Sequence, residues 1–330
     1  MRAVIVNQIG SVDQLAVQDV PELEPGPGEV VVQNAAIGVN FPDLLVISGD
    51  YQVRPPTPFS PGKESAGTVI KVGEGVTALK EGDRVLAQVE YGAYAEQVRA
   101  PAVSCHLLPE EMGFARAITL GLTYQTAWFA LKDRAHVAGG EVVLVTGASG
   151  GVGLAAMQVA KAFGATVIAG VRSDAQAAFV RKHGAEHLVR LDDSDLHNNL
   201  KAKVLEITHD HGADVVVETV GGHVFDASMR ALGWRGRMIV VGFAGGTVPS
   251  IHAGYLLVKN ISVVGLDWSD YRDRRPEWVQ RAQKEIFELY AKGSLDPEVM
   301  GRFPLGDFAQ ALEAVQKGGL QGKVELDPTK

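Results

Sequence analysis

Short apolar runs separated by turn chemistry fill the first third of the chain: AVIVN, EVVVQNAAIGVN, SAGTVIKVG, DRVLAQV and YAEQVRA. Between them lie PELEPGPGE (Pro21 to Glu29), RPPTPFSPG (Arg54 to Gly62) and VGEGV (Val72 to Val76), whose prolines and glycines break strands and build loops and hairpins. The pattern predicts an all-β region up to roughly residue 115, folded as a small barrel. The rhythm then changes. Apolar strands at 142–146, 166–170, 187–191, 214–219, 238–242 and 261–265 alternate with helical stretches near 151–163, 174–183, 195–210 and 222–232. Continuous apolar strands alternating with helices predict a doubly wound parallel sheet with right-handed crossovers.

After residue 265, RPEWVQRAQKEIFELYAKG places Trp278, Ile286, Leu289 and Tyr290 at near-helical spacing, with Gly293 positioned to end the helix. The tail, with FPLGDFAQALEAVQKG and KVELDP, reads as a helix and a final strand that returns to the first domain.

A length of 330 residues is enough for about two domains. With 46% hydrophobic and 21% charged residues, both can bury a core, which excludes a disordered chain. The 31 basic against 39 acidic residues leave a net charge of −8 and no cationic footprint for nucleic acid or anionic lipid. The single cysteine, Cys105, excludes an intrachain disulfide framework and a zinc site built from several thiolates, and makes a reducing cytoplasm the expected compartment. The N-terminal apolar run is too short for a signal peptide. The longest uncharged run, Val142 to Ala160, is interrupted by Gly147, Gly150, Gly151 and Gly153, which suits a tight turn better than a lipid-facing helix.

That glycine turn is the main chemical signal. The strand VVLVT runs into GASGGVG, and LAAMQVAKAFG continues at helical spacing. In the dinucleotide fingerprint G-x-G-x-x-G, Ala148 takes the first position and Gly150 and Gly153 the second and third, with Gly147 one residue earlier. Pyrophosphate is expected against the amides of Ser149, Gly150, Gly151, Val152 and Gly153, where the helix dipole favours negative charge. Gly147-Ala148-Ser149-Gly150-Gly151 also satisfies the G-x-S-x-G nucleophile elbow, so a serine hydrolase using Ser149 is a rival, although neither His223 nor His252 falls in a recognisable triad context. At the end of the second strand, Arg172 and Ser173 stand where an NAD-preferring site places an acid. A guanidinium there grips a 2′-phosphate, so NADPH is expected over NADH; Asp174 remains a candidate ribose ligand.

PGPGEVVVQNAAIGVNFPDLLVISGDY, PGKESAGTVIKVGEGV, GDRV, GAYAEQV, GLTYQTAW, VTGASGGVG, AFGATVIA, ETVGG and the closing GGLQGKV together resemble the medium-chain dehydrogenase/reductase superfamily, in its zinc-independent quinone oxidoreductase branch. The resemblance implies a GroES-like β-barrel catalytic domain from residues 1–117 and 266–330, a Rossmann domain from 118–265, a cleft at their junction, and a homodimer formed through Rossmann sheet edges. It also implies an NADPH-dependent reductase of quinones or α,β-unsaturated carbonyls. Where zinc members carry Cys and His, this chain has Asn40 and Lys63, which cannot replace a thiolate and an imidazole, so no zinc is expected. Asn40 and Tyr51 match site positions and are candidate oxyanion donors, and the ammonium of Lys63 is a candidate electrostatic stabiliser that could instead pair with Glu64 or Asp43. Leu45 stands where relatives carry a second tyrosine. Thr123 resembles a residue near the nicotinamide. Val241, Gly242 and Phe243, with Gly265 and Leu266, are expected beside the nicotinamide and its ribose, and Lys323 at the cofactor phosphates.

Other signals are weaker. His183 with His187, and the histidines of HDHG (His209 to Gly212), read as solvated loop residues. Cys105 and His106, adjacent on a strand, point to opposite faces and do not form a dyad. The cluster Arg272, Arg274 and Arg275 reads as a solvated face or as a hold for coenzyme A phosphates, which keeps an enoyl-thioester reductase as an alternative, beside a non-catalytic NADPH-binding protein.

Overall fold

The computed structural model describes residues 1–317 and 321–330. The chain forms two compact units: Met1–Leu122 with Ser269–Phe287 and Pro297–Lys330, and Thr123–Trp268 with Glu288–Asp296. The first three residues of the closing GGLQGKV motif, 318–320, lie outside the described residues. No helix among the described residues is long and apolar enough to cross a membrane.

The second unit is a Rossmann fold. Six parallel strands lie in the order His187–Arg190, Thr166–Val171, Val142–Val145, Ala213–Glu218, Leu232–Val240 and Ser262–Gly265. The strand order reverses between Val142–Val145 and Ala213–Glu218, the switch point where open α/β sheets bind ligands. Leu144, Ile168, Val216 and Met238 line the sheet face against Leu200, Val204, Val224 and Phe225 of the helices Leu196–Ile207 and Gly222–Ala231. The fifth strand starts six residues before the expected 238. Its register slips between its pairings with Ala213 and Val215, and Gly233, Gly236 and Arg235 (φ 63°) occupy the irregular stretch. Exposed Trp234 and the charges beside it conceal that stretch from an apolar pattern.

The first unit is built on the eleven-residue strand Glu29–Val39. It pairs with Glu64–Val72, Gln97–Pro101 and the C-terminal strand Lys323–Asp327, so the last strand of the chain joins the sheet of the first unit. Val299–Pro304 extends that sheet beyond the last strand. Val30, Val32, Ile37, Val85, Leu312 and Leu326 are wholly buried in its core.

The expectation of an all-β first region is corrected by the helix Phe41–Ser48, while a second helix, Phe114–Thr119, begins where that region was expected to end. The first begins where the Asp43 carboxylate accepts the Asn40 amide hydrogen (2.8 Å) and Pro42 fixes the first turn. It ends at Gly49, whose φ of 81° is the left-handed conformation that a helix terminus uses.

Candidate functional site

The glycine turn follows Val142–Val145, and the helix Gly151–Ala162 leaves it. Gly147 makes the reversal, at φ 60°. Gly153 sets the packing distance: a Cβ there would lie 2.1 Å from the Gly147 carbonyl oxygen and 2.8 Å from the Cα of Ala148. Gly150 differs, because its Cβ would meet only the Gly147 oxygen, at 3.5 Å. The helix starts at Gly150 with no side-chain cap, so its first-turn amides remain available to an anion. An open approach at Gly150 and an uncapped helix start are what a dinucleotide pyrophosphate requires, so the residues fit the cofactor. Ser149 is buried within the turn.

At the end of the next strand, Arg172 is exposed, and Ser173 caps the helix Asp174–Lys182, its hydroxyl accepting from the Gln176 amide at 3.2 Å. The sequence reading missed Arg190. Its register places it opposite Val171, and its guanidinium donates to the Arg172 carbonyl (3.1 Å) and pairs with Asp174 (2.6 Å) and Asp192 (2.7 Å). A second cation thus stands beside Arg172, while Asp174, considered as a ribose ligand, is paired with Arg190. The alternation had marked HLVRL as a strand, but only the pairing register brings Arg190 to this corner.

Val241 to Phe243 and Gly265 with Leu266 follow the carboxyl ends of the fifth and sixth strands, on the same sheet edge as the glycine turn. Thr219 clamps that edge: its hydroxyl donates to the Thr146 carbonyl (2.9 Å), and its amide donates to the Thr146 hydroxyl (3.0 Å). Thr123 is buried in the helix Leu122–Trp128.

In the first unit, Asn40, Glu64 and Lys323 form one buried cluster. The Lys323 ammonium donates to Asn40 Oδ1 (2.6 Å) and to the Glu64 carboxylate, whose other oxygen accepts the Leu122 amide hydrogen (2.8 Å). The Asn40 amide donates to the Gly38 carbonyl and to Glu64, each at 3.2 Å. Lys323, expected at the cofactor phosphates, is 4% exposed and would have to leave a buried carboxylate to reach one. Gly38 makes room for the cluster, since its Cβ would lie within 3 Å of both Glu64 and Lys323.

Asp43, beneath this cluster, accepts from the Tyr94 hydroxyl (2.8 Å), and burial raises its carboxyl to about 6 despite the nearby cations Lys63 and Lys323. His106, buried between Gln88 and Gln280, is pushed down to about 4 by desolvation. These shifts act oppositely on stability. From about pH 4 to 6 the folded chain keeps an Asp43 proton that the unfolded chain has lost, so stability falls with pH; over about pH 4 to 6.5 the folded chain keeps His106 neutral, so stability rises. The two slopes, each roughly 1 kcal/mol per pH unit, offset one another. Urea unfolding across this range is expected to gain a positive slope in Asp43→Asn and a negative one in His106→Gln. Unchanged slopes in both would contradict the assignment.

Lys63 pairs with neither Glu64 nor Asp43. Its ammonium donates to the Glu90 carbonyl (3.2 Å) and carboxylate, and lies 4.3 Å from the centroid of the Tyr51 ring. In the arginine cluster only Arg272 departs from a solvated face: it is buried and joins Glu90 (2.8 Å) and Asp273 (2.7 Å), whereas Arg274, paired with Asp270 (2.8 Å), and Arg275 are exposed. His183 is buried against Phe179 rather than solvated, with ring centroids 4.5 Å apart. Cys105 is buried, and burial pushes its thiol up to about 12, away from the reactive thiolate. A cavity of about 890 Å³ in this unit is lined by Phe59, Glu90, Tyr91 and Arg272 among others. No group of three or more His, Cys, Asp or Glu placed to hold a metal occurs among the described residues.

Comparison with known proteins agrees with this geometry. Residues 26–110 match the alcohol dehydrogenase GroES-like domain and residues 151–284 the zinc-binding dehydrogenase family. The chain is 36% identical, over 99% of its length and 88% of the relative, to quinone oxidoreductase-like protein 2 homolog of Nematostella vectensis. It is also 36% identical to a quinone oxidoreductase of Pseudomonas aeruginosa, over 92% of each. The crystal structure of Escherichia coli quinone oxidoreductase complexed with NADPH superposes with a TM-score of 0.92 at 32% identity, covering 99% of this chain and all of that one. With a GroES-like unit, a Rossmann unit and relatives matched along nearly the whole length, the chain belongs to the medium-chain dehydrogenase/reductase superfamily, in its zinc-independent quinone oxidoreductase branch.

Proposed function

We propose that this oxidoreductase is a metal-independent, NADPH-dependent reductase of quinones or α,β-unsaturated carbonyls. The observation that carries the reading is the uncapped helix start at Gly150 beside a corner bearing Arg172 and Arg190. Bound NADPH would supply the hydride. The backbone from Ser149 to Gly153 would hold its pyrophosphate, and Arg172, Ser173 and Arg190 its 2′-phosphate. Val241 to Phe243, Gly265, Leu266 and Thr123 are proposed to line the nicotinamide end.

An acceptor conjugated to its own carbonyl needs orientation and a hydrogen-bond donor where negative charge develops on oxygen. We assign that donor role first to the Tyr51 hydroxyl. Asn40 is kept as a second donor, whose amide must give up Glu64 or Gly38 to serve the acceptor. The enoyl-thioester alternative loses one of its three arginines, because Arg272 is buried and already matched with Glu90 and Asp273. Membership of an oxidoreductase family absorbs the glycine motif that suggested a hydrolase.

Arg172→Ala is expected to weaken NADPH binding about 10- to 100-fold, the worth of one charge-assisted contact, and to leave NADH binding nearly unchanged. Calorimetric titration of both cofactors checks this. Equal losses for the two, or none, would count against the NADPH reading.

A homodimer is proposed through the free edge of the Rossmann sheet. Ser262–Gly265 is the last strand, and the helix Ala253–Lys259 before it buries no residue while exposing Leu257 and Val258. Light scattering is expected to give twice the chain mass and to give a monomer for Leu257→Glu/Val258→Glu. A monomeric parent would refute the assembly.

A further inference from the structure

Lys63 is a cation with almost no access to solvent, at 1% exposure. Its ammonium is fastened on one side by the carbonyl and carboxylate of Glu90, the residue two beyond the strand Arg84–Gln88. Arg272, on the helix Trp268–Arg274, holds the other carboxylate oxygen of Glu90 and is itself held by Asp273. An alternating series of charges, Asp273, Arg272, Glu90 and Lys63, therefore ends beneath the face of Tyr51. Burying Arg272, Glu90 and Lys63 does little for stability compared with apolar side chains of the same volume. What it does fix is position. A lysine has several rotatable bonds, and two oxygens of one residue, braced by an arginine, hold its nitrogen against one aromatic ring.

A cation on a ring face attracts the ring through its quadrupole and so orders it. It also favours negative charge on the phenol oxygen, which makes the hydroxyl a stronger donor to an oxygen that is gaining charge. We propose that Lys63, braced by Glu90 and Arg272, is a positioning residue that holds and polarises Tyr51 as the oxyanion donor. Lys63 acts through the phenol and does not touch the acceptor. The substrates this favours are acceptors whose reduction leaves charge on a carbonyl oxygen. The inference rests on the reductase reading and on Tyr51 as donor.

The test uses the full-length protein with saturating NADPH and 2-cyclohexenone. Lys63→Met is expected to lower kcat about ten-fold, the scale of one weakened transition-state contact, and to leave the KM for NADPH unchanged. Lys63→Arg is expected to recover most of that loss. In a Tyr51→Phe background, Lys63→Met is expected to have no further effect on kcat. Lys63→Met/Glu90→Gln, which leaves no unpaired carboxylate beside the lost ammonium, serves as the second variant if the single one folds poorly. With 13C-labelled tyrosine, the Tyr51 ring resonance, assigned by its loss in Tyr51→Phe, is expected to shift in Lys63→Met, Glu90→Gln and Arg272→Lys.

An equal loss of kcat in the presence and absence of the Tyr51 hydroxyl, or an unmoved ring resonance, would overturn the proposal. Tyr51-dependent turnover that is indifferent to Lys63 overturns the bracing alone. Absence of 2-cyclohexenone turnover in the parent protein overturns this role, and the reductase reading falls with it if 1,4-benzoquinone and 9,10-phenanthrenequinone are not reduced either.

Discussion

Glu64→Ala is expected to lose about 3 to 5 kcal/mol of folding stability, the cost of leaving a buried charge without its partner. Glu64 is wholly buried and receives three donors: the Lys323 ammonium, the Asn40 amide and the Leu122 backbone amide. Its removal strands the ammonium of Lys323 on the C-terminal strand, which pairs with Glu29–Val39 inside the sheet. Glu64→Gln/Lys323→Met removes both charges while keeping an acceptor for Leu122, and is expected to restore most of the loss. Denaturant unfolding of the three proteins decides the matter. Equal destabilisation in the single and double variants would show that packing, and not the stranded charge, is responsible.

Gly153→Ala has the other large effect, and it falls on the cofactor. A Cβ at Gly153 would strike backbone atoms of Gly147 and Ala148, which no rotamer change relieves. The helix Gly151–Ala162 must move off the strand before it, at an expected cost of roughly 3 kcal/mol, the upper range for overpacking. NADPH affinity is expected to fall on the order of 100-fold as the helix amides leave their places. Gly150→Ala separates the two effects. Its Cβ makes only an ordinary contact within the protein, so thermal stability is expected to hold while NADPH binding weakens, because the methyl group occupies the approach to the helix start. Unimpaired NADPH binding in Gly150→Ala would move the pyrophosphate away from this turn.

The Rossmann unit was the most legible part of the chain, because parallel strands covered on both faces are apolar throughout and glycines mark the turn between them. The fifth strand was legible only in its last three residues, since Trp234, Arg235 and Arg237 interrupt the apolar run. The helix Phe41–Ser48 was hidden by its own composition: LLVI directly after a β-rich run reads as more strand, although Asn40, Pro42 and Gly49 supply its boundary signals. The polar pairings were least accessible. Lys63 meets Glu90 because the strand Glu64–Val72 pairs with Arg84–Gln88 and Val89 donates to the Lys63 carbonyl, a register no local pattern specifies. Lys323 reaches Glu64 through two successive strand pairings, Glu325 opposite Gly38 and Gly38 opposite Glu64. A tail lysine that reads as a phosphate contact is in this way drawn into the core.

Every role assigned to the site presupposes hydride transfer from NADPH to a conjugated carbonyl without a metal. The most direct measurement is NADPH oxidation followed by absorbance with 1,4-benzoquinone, 9,10-phenanthrenequinone and 2-cyclohexenone, before and after exhaustive chelator treatment, with NADH in parallel. The expected result is turnover with at least one acceptor, undiminished by the chelator and faster with NADPH than with NADH. No turnover with any acceptor, or activity abolished by the chelator and restored by zinc, would contradict metal-free transfer.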